Sequence, residues 1–193
     1  MSKIVKHCVW IIVGYTGAGK TTLANMLAEK ANLKVLSFRD VANPFCEEKG
    51  YKNTRDFFKS VPESQFIIEI NGCIMCEIGR MFESSSDFII EGLPSFSVVE
   101  KLKSQNAVST TIIYLEAPPE IRKDRIQQRA VLTSEDAVSE EALKNQFKIS
   151  LGLGNVIAVA DYVIDATRNP NTILKDLLSI VDSQSIKREG FTL

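Results

Sequence analysis

WIIVGYTGAGKTTL, residues Trp10–Leu23, is an apolar run that stops at Gly14 and continues into Gly17, Gly19, Lys20, Thr21 and Thr22. Gly14 to Thr21 fits the spacing GxxxxGK[ST], and each residue type in it has a physical task. Glycines let the backbone curl until its N–H groups converge on phosphate oxygens. A helix starting where the curl ends adds free N–H groups and the positive end of its dipole. Lys20 brings a full charge to the β- and γ-phosphates, and the Thr21 hydroxyl is a ligand for Mg²⁺. A plain glycine turn between strand and helix is the other reading, but it gives no reason for the lysine and hydroxyls. The flanks favour phosphate: an apolar run precedes, and Leu23, Met26 and Leu27 recur behind at helical spacing. The expected nucleotide contacts are Gly14, Thr16, Gly17, Ala18, Gly19, Lys20, Thr21 and Thr22, with Lys20 also catalytic and Thr21 on the metal.

Outward from this loop the chain alternates. Strand-like runs rich in Val, Ile, Tyr and Phe are HCVWIIV (7–13), KVLSF (34–38), DFIIEG (87–92), STTIIYLEA (109–117) and DYVIDA (161–166). Most are continuously apolar, as strands covered on both faces are. Helical patterns fill the gaps. Asn43-Pro44 reads as the cap of a short helix closed by Gly50, and Ser60 with Glu63 as a capping box. The helix after it carries Ile67, Ile70, Ile74, Ile78 and Met81 in one stripe. Pro94 and Pro118-Pro119 open two further helices, and Asn169-Pro170 opens the last. Five strands alternating with helices imply a parallel sheet wrapped on both sides. The segment after Ser183 is polar and reads as a frayed tail, giving one domain over 1–185 and a tail over 186–193.

Composition narrows the function. The chain has 193 residues, 45% hydrophobic and 24% charged, and a net charge of -1. That suits one globular domain burying roughly 70% of its unfolded surface. It offers no basic field for nucleic acid or a membrane surface, and no apolar run reaches the ~18 residues of a membrane span. Four cysteines and an N-terminus without a cleavage-type site read as reduced thiols in the cytoplasm. Cys73 and Cys76 make half a zinc site at most and read as helical cysteines.

Loops of this kind open GTPases, helicases and small-molecule kinases alike. No NKxD-type stretch is present, and only Glu91 stands where a motor would carry paired acids. In PPEIRKDRIQQR, Arg122, Arg125 and Arg129 share a helix face, ahead of a polar segment, Thr133 to Glu141, suited to a lid. The plain alternative is a solvated face. Arginines brought by a lid onto a transferring phosphoryl group stabilise its charge and exclude water.

The order of these motifs resembles the nucleoside monophosphate kinase group of P-loop kinases from about His7 to Asp182. FIIEGLP and IIYLEAPPEIRKDRIQQR resemble adenylate kinase segments, with Arg125 and Arg129 matching lid arginines. ALKNQFKISLGLGNVIAVADYVIDAT resembles the end of dephospho-CoA kinases, and more closely a group of adenylate-kinase-related proteins. The resemblance implies a three-layer α/β P-loop kinase fold, with a five-stranded parallel sheet in the order 2-3-1-4-5. It implies a lid near 129–145, an acceptor region at about 40–80, and ATP with Mg²⁺ as donor. It puts Asp40 beside an acceptor hydroxyl as a base, although Asp40 also suits a helix cap, and Arg168 beside adenine, although a surface arginine fits there too. Adenylate kinases hold the AMP phosphate with arginines where this chain has Asn43 and Ser95, and Glu91 replaces an aspartate. Arg55, after Thr54, is the preferred substitute cation on the acceptor, with Glu91 also on the acceptor side. The expectation is a kinase for a small, nucleotide-like acceptor, poor on AMP. Dephospho-CoA kinase and a nucleotide-dependent regulatory protein are the rivals, and a homodimer is left open.

Overall fold

A computed structural model describes residues 7–85, 87–92, 95–133 and 137–189, without the side chains of 130–133, 137–143 and 185–189. The strands are β1 (His7–Val13), β2 (Lys34–Ser37), β3 (Asp87–Glu91), β4 (Val108–Glu116) and β5 (Tyr162–Asp165). The helices are α1 (Lys20–Ala31), α2 (Phe38–Glu48), α3 (Thr54–Ser60), α4 (Glu63–Ser84), α5 (Phe96–Ser104), α6 (Pro119–Thr133), α7 (Ala137–Ser150), α8 (Leu153–Ala158) and α9 (Pro170–Glu189). All four strand pairings are parallel and the order is β2-β3-β1-β4-β5. The expected sheet is therefore present.

The central strand shows why its apolar run is continuous. Val9, Ile11 and Val13 join one buried cluster with side chains of α2 to α5, α7 and α8. Cys8, Trp10 and Ile12, pointing the other way, join a second with α1 and α9. The two-residue period of a strand thus serves two cores at once. Parallel pairing also brings the C-terminal ends of β1 and β3 together, with Ile12 beside Glu91, and the site forms there. Among the described residues no helix is long and apolar enough to cross a membrane.

Several boundaries differ from the sequence reading. Phe38 starts α2 instead of ending β2, and Pro44 lies inside that helix. Burial explains this: Phe38, Ala42 and Cys46 stack one turn apart on the buried face, which offsets the N–H that Pro44 lacks. Asn43 does not cap its own helix. Its Oδ1 accepts from Thr54 N–H at 3.1 Å and Thr54 Oγ1 at 2.7 Å, tying α2 to the start of α3. The capping box is not formed either. Ser60 ends α3 and donates to Asp56 O, while Pro62 precedes α4 without a side-chain cap. The buried stripe of α4 is Phe66, Ile70, Ile74 and Ile78, with Ile67 and Met81 half-buried. Pro94 lies outside the described residues, and α5 starts at Phe96 with Ser95 as its cap. The segment read as a frayed tail is helical in its backbone to Glu189.

Asn43→Ala removes the acceptor of both Thr54 bonds and should cost about 1 kcal/mol, or roughly 2–4 °C in Tm. Thermal melting followed by circular dichroism measures it, and an unchanged Tm would contradict the α2–α3 tie.

Candidate active site

The loop from Gly14 to Gly19 leaves β1 and feeds α1 at Lys20. Its curl depends on glycine. Gly17 has φ +86, and a Cβ there would stand 2.6 Å from Arg122 O. A Cβ on Gly14 would stand 2.8 Å from Leu115 O. Helix α6 and strand β4 can approach only a loop without side chains at these points.

Cations crowd onto the loop's oxygen atoms. Lys20 Nζ donates to Tyr15 O at 3.0 Å. Arg122 donates to Thr16 O at 3.3 Å and to Ala117 O at 3.2 Å, with its guanidinium 4.9 Å from the centre of the Tyr15 ring. Arg125 donates to Gly17 O at 3.5 Å and to Ala166 O at 2.8 Å. From α7, Lys148 Nζ donates to Thr16 Oγ1 at 3.0 Å and Gly14 O at 3.3 Å, while Asn145 Oδ1 accepts from Thr16 N–H at 3.2 Å. Burial pushes the Lys20 ammonium below the usual lysine pKa, against the pull of Glu91. Burial, then the neighbouring Lys20 charge, pushes Lys148 well below it.

A cleft of about 800 Å³ opens beside the loop. Of the expected residues, Thr16 to Thr22, Arg55, Glu91, Arg125, Arg129 and Arg168 line it together. Gly14 is behind the lining, with its carbonyl turned to Lys148. Glu91, buried at the end of β3, accepts from Thr21 Oγ1 at 3.0 Å, so two oxygen ligands stand side by side at the start of α1. That donor chemistry fits Mg²⁺. Arg168 also pairs with Asp176 at 2.8 Å. Asp40 is exposed on α2 and is not in the lining; its neighbour Arg39 is. Ser95 is also off the lining and is buried as the α5 cap, accepting from Val98 N–H. The segment expected as a lid, 129–145, lies largely outside the described side chains; α6 runs to Thr133 and α7 resumes at Ala137.

The sequence reading missed Lys148, Asn145 and the loop contact of Arg122. A signal for Lys148 existed: it stands at helical spacing after Lys144 and before Leu151, a cation one turn from a buried leucine.

The sequence matches the AAA_17 family, described as an AAA domain, over residues 13–144. It is 30% identical over 169 residues to the UPF0200 protein of Saccharolobus solfataricus, covering 86% of this chain and 88% of that one. It is 30% identical to the UPF0200 protein of Sulfurisphaera tokodaii, covering 79% of this chain and 84% of that one. Among solved structures, the shikimate kinase from Bacteroides thetaiotaomicron superposes with a TM-score of 0.61 at 18% identity, covering 91% of this chain and 98% of that one. The shikimate kinase from Acinetobacter baumannii in complex with shikimate gives 0.59, also at 18% identity, covering 91% and 93%. The fold is thus that of P-loop kinases in general, and these neighbours do not single out the nucleoside monophosphate kinase group.

The lysine shifts give a pH dependence. Unfolded lysines hold their protons up to about 10.5; folded Lys20 and Lys148 release theirs lower. Between the two values the unfolded chain binds more protons, so stability rises with pH. Denaturant melts of the ligand-free protein as pH rises toward 10.5 should show this rise. Cys46, its thiol pushed up from 9.0 to about 11 by burial, adds the opposite slope only as pH passes 9.0. Changing both lysines to Met should flatten the curve.

Proposed function

This chain belongs to the AAA_17 family, and on that premise we propose that it is a small-molecule kinase moving the γ-phosphoryl group of ATP–Mg²⁺ to an anionic, nucleotide-like acceptor. The observation that carries this reading is the charge of the cleft. Lys20, Arg39, Arg55, Arg125, Arg129, Lys144, Lys148 and Arg168 line it, against Glu91 as the one carboxylate among the described lining residues. The whole chain has a net charge of -1, so this concentration of cations is local. One nucleotide triphosphate with its metal does not use so many.

In this reading the backbone N–H groups of Gly17 to Thr22 and the Lys20 ammonium hold the phosphates. Thr21, beside Glu91, would hold Mg²⁺, which spreads the charge of the β- and γ-phosphates. Arg125 and Arg129 meet charge on the transferring group, Arg168 lies toward the base, and Arg55 faces the acceptor. The bond from the γ-phosphorus to its bridging oxygen breaks, and that electron pair leaves on ADP. A lone pair of the acceptor oxygen forms the new bond. Asp40 stands off the lining and Glu91 is engaged by Thr21. That suits an acceptor oxygen already ionised, as in a phosphate monoester, better than a hydroxyl that must lose a proton.

Lys20→Ala should abolish binding of ATP–Mg²⁺ in calorimetric titration while leaving the circular dichroism spectrum intact, because the side chain is needed only against phosphate. Unchanged affinity would sink the assignment of the loop.

The acceptor is found by steady-state transfer from ATP to AMP, CMP, UMP, GMP, their deoxy forms and dephospho-CoA. At least one phosphate monoester should turn over. AMP should be slow, since Asn43 is engaged with Thr54 and Ser95 is buried where adenylate kinases carry arginines. AMP turnover of ~10 s⁻¹ or more would refute the acceptor argument. Hydrolysis of ATP with no transfer to any acceptor would move the reading to a regulatory nucleotide-binding protein.

A further inference from the structure

Lys148, like Arg39 and Lys144, is a cleft cation to which the proposed transfer gives no task. It is 8% exposed, and it donates to two neutral oxygens, Thr16 Oγ1 and Gly14 O. The charged groups that act on it are Lys20 and Arg122, which oppose its charge, and Glu91, which favours it but is engaged by Thr21. A buried ammonium beside another ammonium costs free energy in the empty protein, and an apolar side chain of similar length would serve the fold better. An anion in the cleft reverses that balance.

Position indicates which anion. Residue 147, next in the chain, carries a ring whose centroid lies 6.3 Å from that of Phe38, 6.3 Å from Phe58 and 6.4 Å from Phe66. Those rings belong to α2, α3 and α4, the acceptor half. Lys148 therefore reaches the loop from the acceptor side, onto Gly14 and Thr16. Lys20 reaches it from the start of α1, behind the curl. In a bound triphosphate, the group between the loop and the acceptor half is the terminal one.

We propose that Lys148 is a second phosphate-binding lysine, which exchanges Gly14 O and Thr16 Oγ1 for the terminal phosphoryl group of the bound nucleotide and holds it from the acceptor side. This rests on the kinase reading. Lys148 acts as an N–H donor in this role, not as a general acid or base. The arrangement makes the cleft sensitive to polyphosphate length: ATP offers Lys148 an anion and ADP does not. Once the phosphoryl group has left, the ammonium has the loop oxygens to return to.

The test is calorimetric titration of the full chain with ATP–Mg²⁺ and, separately, ADP–Mg²⁺, for the wild type, Lys148→Met and Lys148→Arg. Lys148→Met should weaken ATP binding on the order of tenfold or more and leave ADP binding unchanged, while melting no lower than the wild type. Lys148→Arg should keep a preference for ATP over ADP. Equal losses for both nucleotides, or no loss for either, overturn the assignment. If Lys148→Met does not fold, Lys148→Gln is read in the same two titrations. A wild type that binds neither nucleotide overturns the kinase reading and this one together. A wild type that binds both, with Lys148→Met unchanged, overturns only the role of Lys148.

Discussion

Backbone carbonyls turned outward by a tight loop must find donors, and in this protein the donors are cations. Curling Gly14 to Gly19 inward aims N–H groups at the phosphate position and leaves the carbonyls of residues 14 to 17 facing away. Lys148, Lys20, Arg122 and Arg125 each bond one of them. Three of these four side chains come from α6 and α7, which lie 100 residues or more along the chain from the loop. The loop is thus clamped by the two helices that flank residues 134–136. A change at the loop is felt at both helices, and a movement of either helix changes what the loop presents.

The same clamp explains how a chain with a net charge of -1 holds a strongly positive cleft. Donation to carbonyl oxygens orients a cation without neutralising it. Arg168 also has a carboxylate beside it, Asp176 at 2.8 Å, which shares its charge. Lys148 is buried and Lys20 half-buried, and desolvation lowers the pKa of both, because neutral oxygens replace water poorly around an ammonium. A site of this kind is costly when empty, and an anion in it would offset that cost, as the proposed function requires.

Much of this was legible in the sequence, and what was not has a physical cause. The sheet and the loop follow from local patterns: a continuous apolar run, a glycine spacing, an amphipathic helix. Where two local signals competed, tertiary burial decided. Phe38 has strand propensity, but burial against Gly92 and Phe147 puts it in a helix. Asn43-Pro44 looks like a helix start, yet Asn43 serves the next helix, 11 residues on. Lys148 left only a local signal, its helical spacing from Lys144 and Leu151, because its partner Thr16 is 132 residues away and no spacing rule spans that distance. Arg125 was found because three arginines on one turn-spaced face announce themselves, whereas a single lysine one turn from a buried leucine does so only once its helix is known to face a phosphate loop.

The acceptor half shows how the fold constrains chemistry. An arginine at residue 43 could not accept from Thr54, so the tie between α2 and α3 and a guanidinium at that point exclude each other. Ser95 is committed in the same way, to the cap of α5. With both positions given to structure, and Lys148 assigned to the donor, the lining cations on this side of the cleft are Arg39, Arg55 and Lys144, carried by α2, α3 and α7. They border the cleft from the side of α3 and α7, not from the β3–α5 turn. An acceptor held by them would place its anionic group nearer α7 and the aromatic cluster around Phe147. A smaller acceptor gripped only at residues 43 and 95 would leave Arg55 and Lys144 unused, and so the proposed acceptor is one long enough to reach α7.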